Sequence, residues 1–428
     1  MAQITYKAMF SLTLKRFRDL PKETKAMVWL YLVYNFAEVL VGVFLNIFVF
    51  LQTDSILKLG IFNLCGFGGI ILGFSVWGIL ISHFRLSMRL NYLKSFAVCI
   101  TSFLILIFLP HTEFYLYLFG LINGMGLGIF WIGVHSYEML FTNEKNRDFY
   151  SSMVTAISQA LRIIGPAIAT LTFIISERLL HVETFKLLFI IIPFVYLLSL
   201  PFIFALPDYF PEKIQLKEWK RLIFDKKIRH ARRYYMTQGF GWGLYAPTLA
   251  IIAIYSMKTI INFGILQTVI GIISVLMIIF LSHKRHENNR LNIMFWALLI
   301  ESIAYAGLVF WQVSPYIYII HILIVTLAYP TFRVSEHVID LKSIELIKEK
   351  EHSSFYSGML YRDFILGFSR IGAVVFIIIL SLISSENFTL GTAVILIAIN
   401  NMCIWWAAKC LLNKTSVKNN SPKDAPVL

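Results

Sequence analysis

Three charged side chains lie deep inside apolar stretches of this sequence and could do chemistry there: Glu38, Arg162 and Arg370. Glu38 lies about eleven residues into its stretch, which is roughly 16 Å along a helix and near the centre of a bilayer. Charged side chains are costly at that depth, so those that occur there usually serve a function. An acid removed from water holds a proton more readily, and Glu38 could therefore exchange a proton or contact a ligand. The alternative is a structural partner for a buried arginine.

Arg162 and Arg370 occupy similar places in two apolar stretches about two hundred residues apart. A guanidinium group stays charged under almost any burial, so each arginine needs an anion close to it. Glu38, Glu301 and Asp363 could supply that anion, in which case the ion pairs would only hold helices together. The alternative is that the two arginines bind an anionic or zwitterionic small molecule, and the sequence leaves both interpretations open.

Two further charged pairs are close neighbours in the sequence. Arg362 and Asp363 are adjacent, so on a helix they face different directions and cannot both point straight into one cavity. Arg333 and Glu336 are one helical turn apart, a spacing that favours an ion pair between them.

A third group of charges lies at the ends of the apolar stretches. In each half of the chain two arginines follow one stretch and an acid ends another. Opposite charges at one membrane depth could form breakable clamps, which suits a gate with two states of similar energy. The alternative is that these arginines only orient the chain in the membrane. The residues are Arg85, Arg89 and Glu138 in the first half and Arg285, Arg290 and Asp340 in the second.

The sequence holds no motif typical of an enzyme, an ATPase or a metal site. It has no phosphate-binding P-loop, no HExxH and no nucleophile motif. His135 and Glu138 have a spacing that metal ligands use on a helix, but no third ligand stands nearby. The four cysteines lie in or at the end of apolar stretches without a CxxC pair, which favours buried and inert thiols. We therefore predict a protein that is not an enzyme, with no cofactor and no metal.

The elements that must position these residues are membrane-spanning helices. The chain is 58% hydrophobic and only 14% charged, with a mean hydropathy of +0.73, and is therefore too apolar for a soluble domain. A spanning helix needs roughly 20 apolar residues, and about twelve such stretches follow one another. They cover 27–51, 56–81, 90–110, 113–139, 150–176, 184–206, 234–257, 259–282, 291–312, 315–341, 354–383 and 388–412.

The formal net charge of +14 is concentrated at one side of these predicted spans. Clusters such as KRFRDLPKETK, NEKNR and KEWKRLIFDKKIRHARR fall at one set of helix ends, while the opposite connections are short and nearly free of lysine and arginine. Lysine and arginine in short loops stay on the cytoplasmic side, so both termini and the central loop are predicted to be cytoplasmic. Because the charges adjoin membrane spans, nucleic acid is not an expected partner. No cleavable signal is evident at the N-terminus.

Several short phrases occur twice, about two hundred residues apart. ISHFRLSMRLN at 81–91 returns as LSHKRHENNRLN at 281–292, and FYSSM at 149–153 returns as FYSGM at 355–359. Repeats in the same order indicate two duplicated units. The expected organisation is a six-helix half at 1–206, a basic amphipathic linker at 207–233 on the inner membrane surface, a six-helix half at 234–412 and a polar cytoplasmic tail at 413–428.

In this organisation the sequence resembles the major facilitator superfamily. That family has two six-helix halves, a long cytoplasmic loop between them, and a phrase of glycine, three residues, an acid and several bases after the second and eighth helices. Here Gly78 is followed by Ser82 where the acid is expected, and then by Arg85 and Arg89. The resemblance implies an all-α membrane protein of about twelve spans, whose halves rock about a substrate near the bilayer midplane.

The resemblance also implies which residues line the cavity, because the fourth and seventh helices line it in this family. Glu301 falls on the ninth helix, which faces lipid in this family, so this acid must turn inward or stay protonated. Glycine-rich runs at 66–73 and 124–128 indicate close packing of helices. The candidate lining residues are Asn35, Trp131, Gln238, Trp242 and Tyr245.

The expected function is secondary active transport of a small solute by alternating access, with a proton as the expected coupling ion. The abundant aromatic residues favour efflux of an amphipathic compound, and the paired arginines favour an anionic or zwitterionic metabolite. The alternative is a non-transporting membrane sensor or assembly partner of the same fold. The expected partners are the lipid bilayer, the solute and the coupling ion, and the chain is expected to act as a monomer in the plasma membrane.

Overall fold

Twelve long helices follow one another in the part of the chain that the computed structural model describes, residues 15, 17–142, 147–213, 221–281, 290–351 and 355–419. No strand occurs among these residues. The first six helices are α1 Lys22–Thr53, α2 Ile56–Phe84, α3 Met88–Phe108, α4 Glu113–Phe141, α5 Arg147–Ile174 and α6 Lys186–Phe204. The second six are α7 Arg229–Met257, α8 Ile260–Leu281, α9 Arg290–Leu308, α10 Pro315–Glu351, α11 Phe355–Ile383 and α12 Glu386–Asn419.

Within the described residues, eleven of these helices are long and apolar enough to cross a membrane, and in α8 the apolar segment Ile260–Ser274 is shorter. The predicted order of helices is thus confirmed, with eleven of the about twelve predicted spans, but several helices run past them. α10 continues to Glu351 and α12 to Asn419, because helical hydrogen bonding continues in water after the apolar sequence has ended. The apolar stretches therefore mark the part of each helix that could cross a membrane, and not its ends.

The connections between helices divide the bundle into two ends. The ends of α1 and α7 are joined to the next helix by two-residue links, in which Asp54 and Lys258 have positive φ angles of 46° and 62°. We call this the short-loop end. The other end holds the start of α1, the end of α12 and residues 205–213 and 221–228. We call it the basic end because the described lysines and arginines of 221–233 lie there.

α2 and α4 pack backbone against backbone at their glycine-rich runs. A Cβ atom added to Gly69 would lie 2.2 Å from the carbonyl oxygen of Leu121, and one added to Gly73 would lie 2.1 Å from that of Met125. Real Cβ atoms do not approach so closely, so only glycine allows this contact. The prediction of close helix packing at 66–73 and 124–128 is confirmed.

The two sets of six helices meet along α2 with α11, α5 with α8, and α1 with α7. Near the short-loop end, aromatic rings fill this boundary: the Phe44 ring centre lies 5.1 Å from that of Phe173 and 5.6 Å from that of Phe263. Phe50 and Tyr255 approach to 5.6 Å between α1 and α7. The described side chains therefore hold the two sets together near the short-loop end.

Candidate functional site

Three arginines surround two aromatic rings at the boundary between the two sets of helices. The guanidinium carbon of Arg162 lies 4.9 Å from the centre of the Tyr329 ring. That of Arg333 lies 5.3 Å from the Trp242 ring and 5.8 Å from the Tyr329 ring, and that of Arg370 lies 5.7 Å from Trp242. We call the three arginines the arginine cluster and the two rings the aromatic platform. Cations over aromatic faces at these distances are attracted by the negative ring faces.

Close helix contacts bring these side chains together. A Cβ atom added to Gly243 on α7 would lie 2.5 Å from the carbonyl oxygen of Arg370 on α11, so the two backbones touch beside Trp242. On the other side, a Cβ added to Gly271 on α8 would lie 2.7 Å from the carbonyl oxygen of Arg162 on α5. Small residues at both contacts therefore position one arginine from each six-helix set against the platform.

Two arginines of the cluster have no ion pair with an acid in the described part of the chain. Arg333 forms the predicted ion pair with Glu336, which is confirmed. Among the described residues, neither Arg162 nor Arg370 has a carboxylate within 4.0 Å, and the buried Nε of Arg370 has no hydrogen-bond acceptor. In the described part of the chain, neither arginine therefore forms a direct ion pair with Glu38, Glu301 or Asp363.

Asp363 instead approaches its own neighbour in the sequence. Its Oδ1 lies 3.5 Å from Nη2 of Arg362, although the two residues were expected to face different directions. The long arginine side chain bends back far enough for the charged groups to meet. Asp363 also interacts electrostatically with Arg370 at a longer range than an ion pair.

A pair of acids lies next to the arginine cluster and is bridged by one amide. Nε2 of Gln238 on α7 donates to Oε1 of Glu336 at 2.9 Å and to Oδ1 of Asp340 at 3.1 Å on α10. Glu336 is only 1% exposed. We call Glu336 and Asp340 the acid pair. Gln238 was predicted to line the cavity, and the structure shows it holding the acid pair.

The prediction that Asp340 ends its helix is wrong, because α10 runs on to Glu351, about three turns further. Asp340 lies inside the second set of helices, bound to Gln238 and interacting electrostatically with Arg362. Its expected partner Arg285 lies outside the described residues. Arg290 begins α9, and its side chain is not among those described.

Glu301 on α9 turns inward, as one of the two expectations for it required. It is 5% exposed and interacts electrostatically with Glu336 and Arg333. Its Oε1 is buried and has no hydrogen-bond partner among the described residues. A third carboxylate therefore faces the acid pair from a third helix.

Glu38 lies in a different part of the interior. Its electrostatic neighbours are Tyr34, Cys99 and Tyr196, all within the first six helices. Among the described residues it has no ion pair within 4.0 Å. Glu38 is therefore not the ion-pair partner of a buried arginine among the described residues, which was the structural role considered for it.

Trp131 and Asn35 also belong to the interior of the first six helices. The Trp131 ring packs edge-on against Tyr34 at 5.8 Å and stacks on His135 at 5.5 Å. Asn35 donates from Nδ2 to the carbonyl oxygen of Tyr31 at 2.9 Å. Of the predicted lining residues, the structure brings Trp242 to the arginine cluster, and Tyr245 interacts electrostatically with Arg162.

At the basic end, Arg89 pairs with an acid that the sequence interpretation did not consider. Its Nη2 lies 2.6 Å from Oδ2 of Asp208, where Glu138 was the predicted partner. The hydroxyl of Ser87 also bonds to Asp208. Glu138 lies near Nδ1 of His135, at 3.8 Å. Arg85 ends α2 with a φ of 49° and is exposed.

Asp208 belongs to a short segment, residues 207–212, that lies across the ends of α2, α3 and α4. The amide of Met88 donates to the carbonyl oxygen of Tyr209 at 2.8 Å, and the Tyr137 hydroxyl donates to that of Pro207 at 2.7 Å. Ser82, which stands where the acid was expected, donates to the carbonyl oxygen of Glu212 at 2.6 Å. We call residues 207–212 the linker strap. Of the basic amphipathic linker predicted at 207–233, residues 214–220 lie outside the described residues.

Sequence reasoning missed Tyr329 and the place of Arg333 on the platform. A usable signal was present, since Tyr329 and Arg333 are four residues apart and share one face of α10. No group of three or more metal-ligating side chains occurs in the described part of the chain.

Comparison with known proteins gives a family and a fold. The family model described as Major Facilitator Superfamily matches residues 27–335. No curated protein matches the sequence. Two solved structures similar over nearly their whole length are the nucleoside transporter NupG (TM-score 0.61, 11% identity, 91% of this chain and 99% of NupG) and the human organic anion transporter MFSD10 (TM-score 0.64, 12% identity, 90% and 99%).

Proposed function

We propose that this chain, which belongs to the Major Facilitator Superfamily, carries a small amphipathic organic anion by alternating access. The two similar solved structures are both membrane transporters. The two neighbours carry different solutes, one a nucleoside and the other an organic anion. Their likeness at 11% and 12% identity therefore does not choose a substrate, and the choice must come from the residues of this chain.

The observation that carries the proposal is the state of Arg162 and Arg370. Both guanidinium groups lie over aromatic rings, one from each set of helices, and neither has a carboxylate within ion-pair distance in the described part of the chain. Arg370 is partly buried, and its Nε is inaccessible and without an acceptor among the described residues, whereas Arg162 is exposed. A cation removed from water without an anion is costly. A substrate anion between the two arginines would remove that cost and would touch both halves at once, as alternating access requires.

The aromatic platform adds a second element of recognition. Trp242 and Tyr329 offer ring faces beside the cations, and these faces pack against an apolar or planar part of a ligand. The two substrate classes that the sequence left open therefore combine into one, an anion with an apolar body.

For the arrangement in the cell we propose the orientation predicted from the sequence. The basic end, with both termini, faces the cytoplasm, and the protein acts as a monomer in the plasma membrane. Residues 1–206 and 234–412 form the two repeats that move against each other. Lysine and arginine clusters at one end of the bundle support this orientation.

A flux assay tests the proposed substrate. The purified protein in liposomes is offered a panel of aromatic carboxylates and sulfonates, with neutral analogues of the same size. We expect uptake of anions only, and loss of uptake in Arg162→Gln and in Arg370→Gln. Arg178→Gln is the matched control, because Arg178 is exposed in the π-helical segment Ile175–Leu179 that follows α5. Anion binding without flux in the wild type would support the sensor alternative instead.

A further inference from the structure

We infer that Arg333 and Glu336 couple the anion to a proton: an anion at the arginine cluster draws Arg333 away from Glu336, and Glu336 then takes up one proton that travels in the same direction. This inference rests on the proposed anion transport. It names the coupling ion, the residue that binds it and the sign of the coupling.

Arg333 is the one member of the arginine cluster that the described structure shows in two roles. Its guanidinium lies over both rings of the aromatic platform, where the anion is proposed to bind. The same guanidinium forms the ion pair with Glu336 one turn further along α10. An anion on the platform therefore competes directly with Glu336 for the same cation.

Glu336 cannot easily remain ionised once Arg333 is drawn away. It is almost fully buried, and Gln238 holds it beside the second carboxylate, Asp340. A buried charge without a partner is strongly unfavourable, and two carboxylates close together favour a shared proton. Binding of one proton at Glu336 removes both problems.

The charged and titratable groups around the acid pair come from three other helices as well as α10. Arg333 is the cation that acts most directly on Glu336, whereas Arg362 acts on Asp340 and pairs with Asp363, and Glu301 adds a further acid. The groups are Tyr234 and Tyr235 on α7, Glu301 on α9, Tyr329 and Arg333 on α10, and Arg362, Asp363 and Arg370 on α11.

Two buried oxygen atoms beside the acid pair lack a hydrogen-bond donor among the described residues. They are Oε1 of Gln238 and Oε1 of Glu301. An ionised carboxylate only accepts hydrogen bonds, whereas a protonated one has an O–H group to donate. A proton on the acid pair would add a donor beside these two oxygens, and their lack of a donor is a second observation, separate from the ion pair.

The charges balance in the proposed cycle. An anion with one negative charge enters together with one proton. Arg333 then has the anion as its partner in place of Glu336. When the anion leaves, Arg333 returns to Glu336, which releases the proton on the same side. The cycle therefore carries no net charge for a monovalent anion, and a pH gradient drives accumulation.

The experiment compares two modes of transport in liposomes that hold the full chain, with an aromatic carboxylate that the wild type carries as the probe. Exchange of labelled for unlabelled anion at equal pH needs no net proton movement, whereas accumulation against a gradient needs the proton. We expect Glu336→Gln to keep exchange and to lose accumulation driven by a pH gradient. Glu113→Gln, an exposed acid on α4, is the control for the chemical change and should keep both.

The same substitution at Glu38 tests the alternative that Glu38 binds the coupled proton. Loss of pH-driven accumulation in Glu38→Gln with its retention in Glu336→Gln would overturn the inference, while the proposed anion transport would stand. Absence of any anion flux in the wild type would instead contradict the proposed function itself. Accumulation that responds to membrane voltage for a monovalent anion would also contradict the balanced cycle.

A second variant tests the acid pair in case Glu336→Gln fails to fold. Gln238→Leu removes the amide that bridges the acid pair, so repulsion between the carboxylates holds the shared proton more tightly. The pH profile of uptake should move to higher pH. A change in the amount of folded protein without movement of the profile would show that Gln238 is only structural and would overturn the role of the acid pair.

Discussion

The guanidinium group of Arg162 on α5 lies over the ring of Tyr329 on α10, with 4.9 Å between its central carbon and the ring centre. This contact crosses the boundary between the two six-helix sets within the proposed anion site. The arginine comes from one set and the ring from the other, so the contact must change whenever the two sets move apart there.

Replacing Tyr329 by leucine should weaken the anion site. The ring face holds both Arg162 and Arg333, and a cation over an aromatic ring contributes about 1 kcal/mol, which corresponds to roughly fivefold in KM. Tyr329→Phe keeps the face and should stay close to the wild type. Anion uptake measured over a range of concentrations checks both variants, and equal KM values for leucine and phenylalanine would contradict the role of the ring.

Replacing Asp208 by asparagine should loosen the linker strap. Arg89 would lose its ion pair, which is partly exposed and therefore contributes up to about 1 kcal/mol to the free energy of unfolding. A fall in the thermal unfolding temperature of the detergent-purified protein is the expected result. Glu212→Gln is the matched control, because Ser82 bonds to the backbone carbonyl of Glu212 and not to its side chain. An equal fall in the unfolding temperature of both variants would mean that the Asp208 side chain makes no specific contribution to stability.

Replacing Gly69 by alanine should destabilise the contact between α2 and α4. The added methyl group would meet the Leu121 carbonyl oxygen at 2.2 Å, and overpacking of this kind costs about 1–3 kcal/mol. Its neighbour Gly68 has no atom within 4 Å of an added Cβ, so Gly68→Ala should unfold at or above the wild-type temperature, because alanine favours a helix over glycine. The difference between these two melting temperatures is the measurement, and its absence would refute the contact.

The proposed orientation predicts which ends react from outside the cell. Val313 between α9 and α10 is 78% exposed at the short-loop end, and Phe224 is 81% exposed at the basic end. In a background without reactive native cysteines, Val313→Cys should react with a membrane-impermeant maleimide in intact cells. Phe224→Cys should react only after the membrane is permeabilised. The reverse pattern would invert the orientation.

The number and order of the spanning helices could be predicted because apolar length is a local property of the sequence. The Arg333–Glu336 pair and the close packing at the two glycine-rich runs were predictable for the same reason, since each depends on residue spacing within one helix. The partners of Arg89 and Gln238 were not, because Asp208 and the acid pair come from segments far away in the sequence. Residue spacing says nothing about which helices meet at a given depth.

Asp340 shows a different limit of sequence reasoning. Its place at a helix end was inferred from where the apolar stretch stops, but α10 continues for about three turns in a polar sequence. Hydropathy locates the bilayer, whereas the end of a helix depends on capping and propensity. An acid near the boundary can therefore belong to the interior of the bundle, as Asp340 does.

The linker strap also changes where the covalent connection between the two halves begins. Residues 207–212 are bonded to Ser82, Ser87, Met88, Arg89 and Tyr137, so they move with the first six helices. A polypeptide cut after Lys213 would leave every one of these bonds within the first fragment. A cut ahead of Pro207 would separate Asp208 from Arg89 and leave the ends of α2, α3 and α4 without their cover, so two fragments divided there would be the harder pair to reassemble.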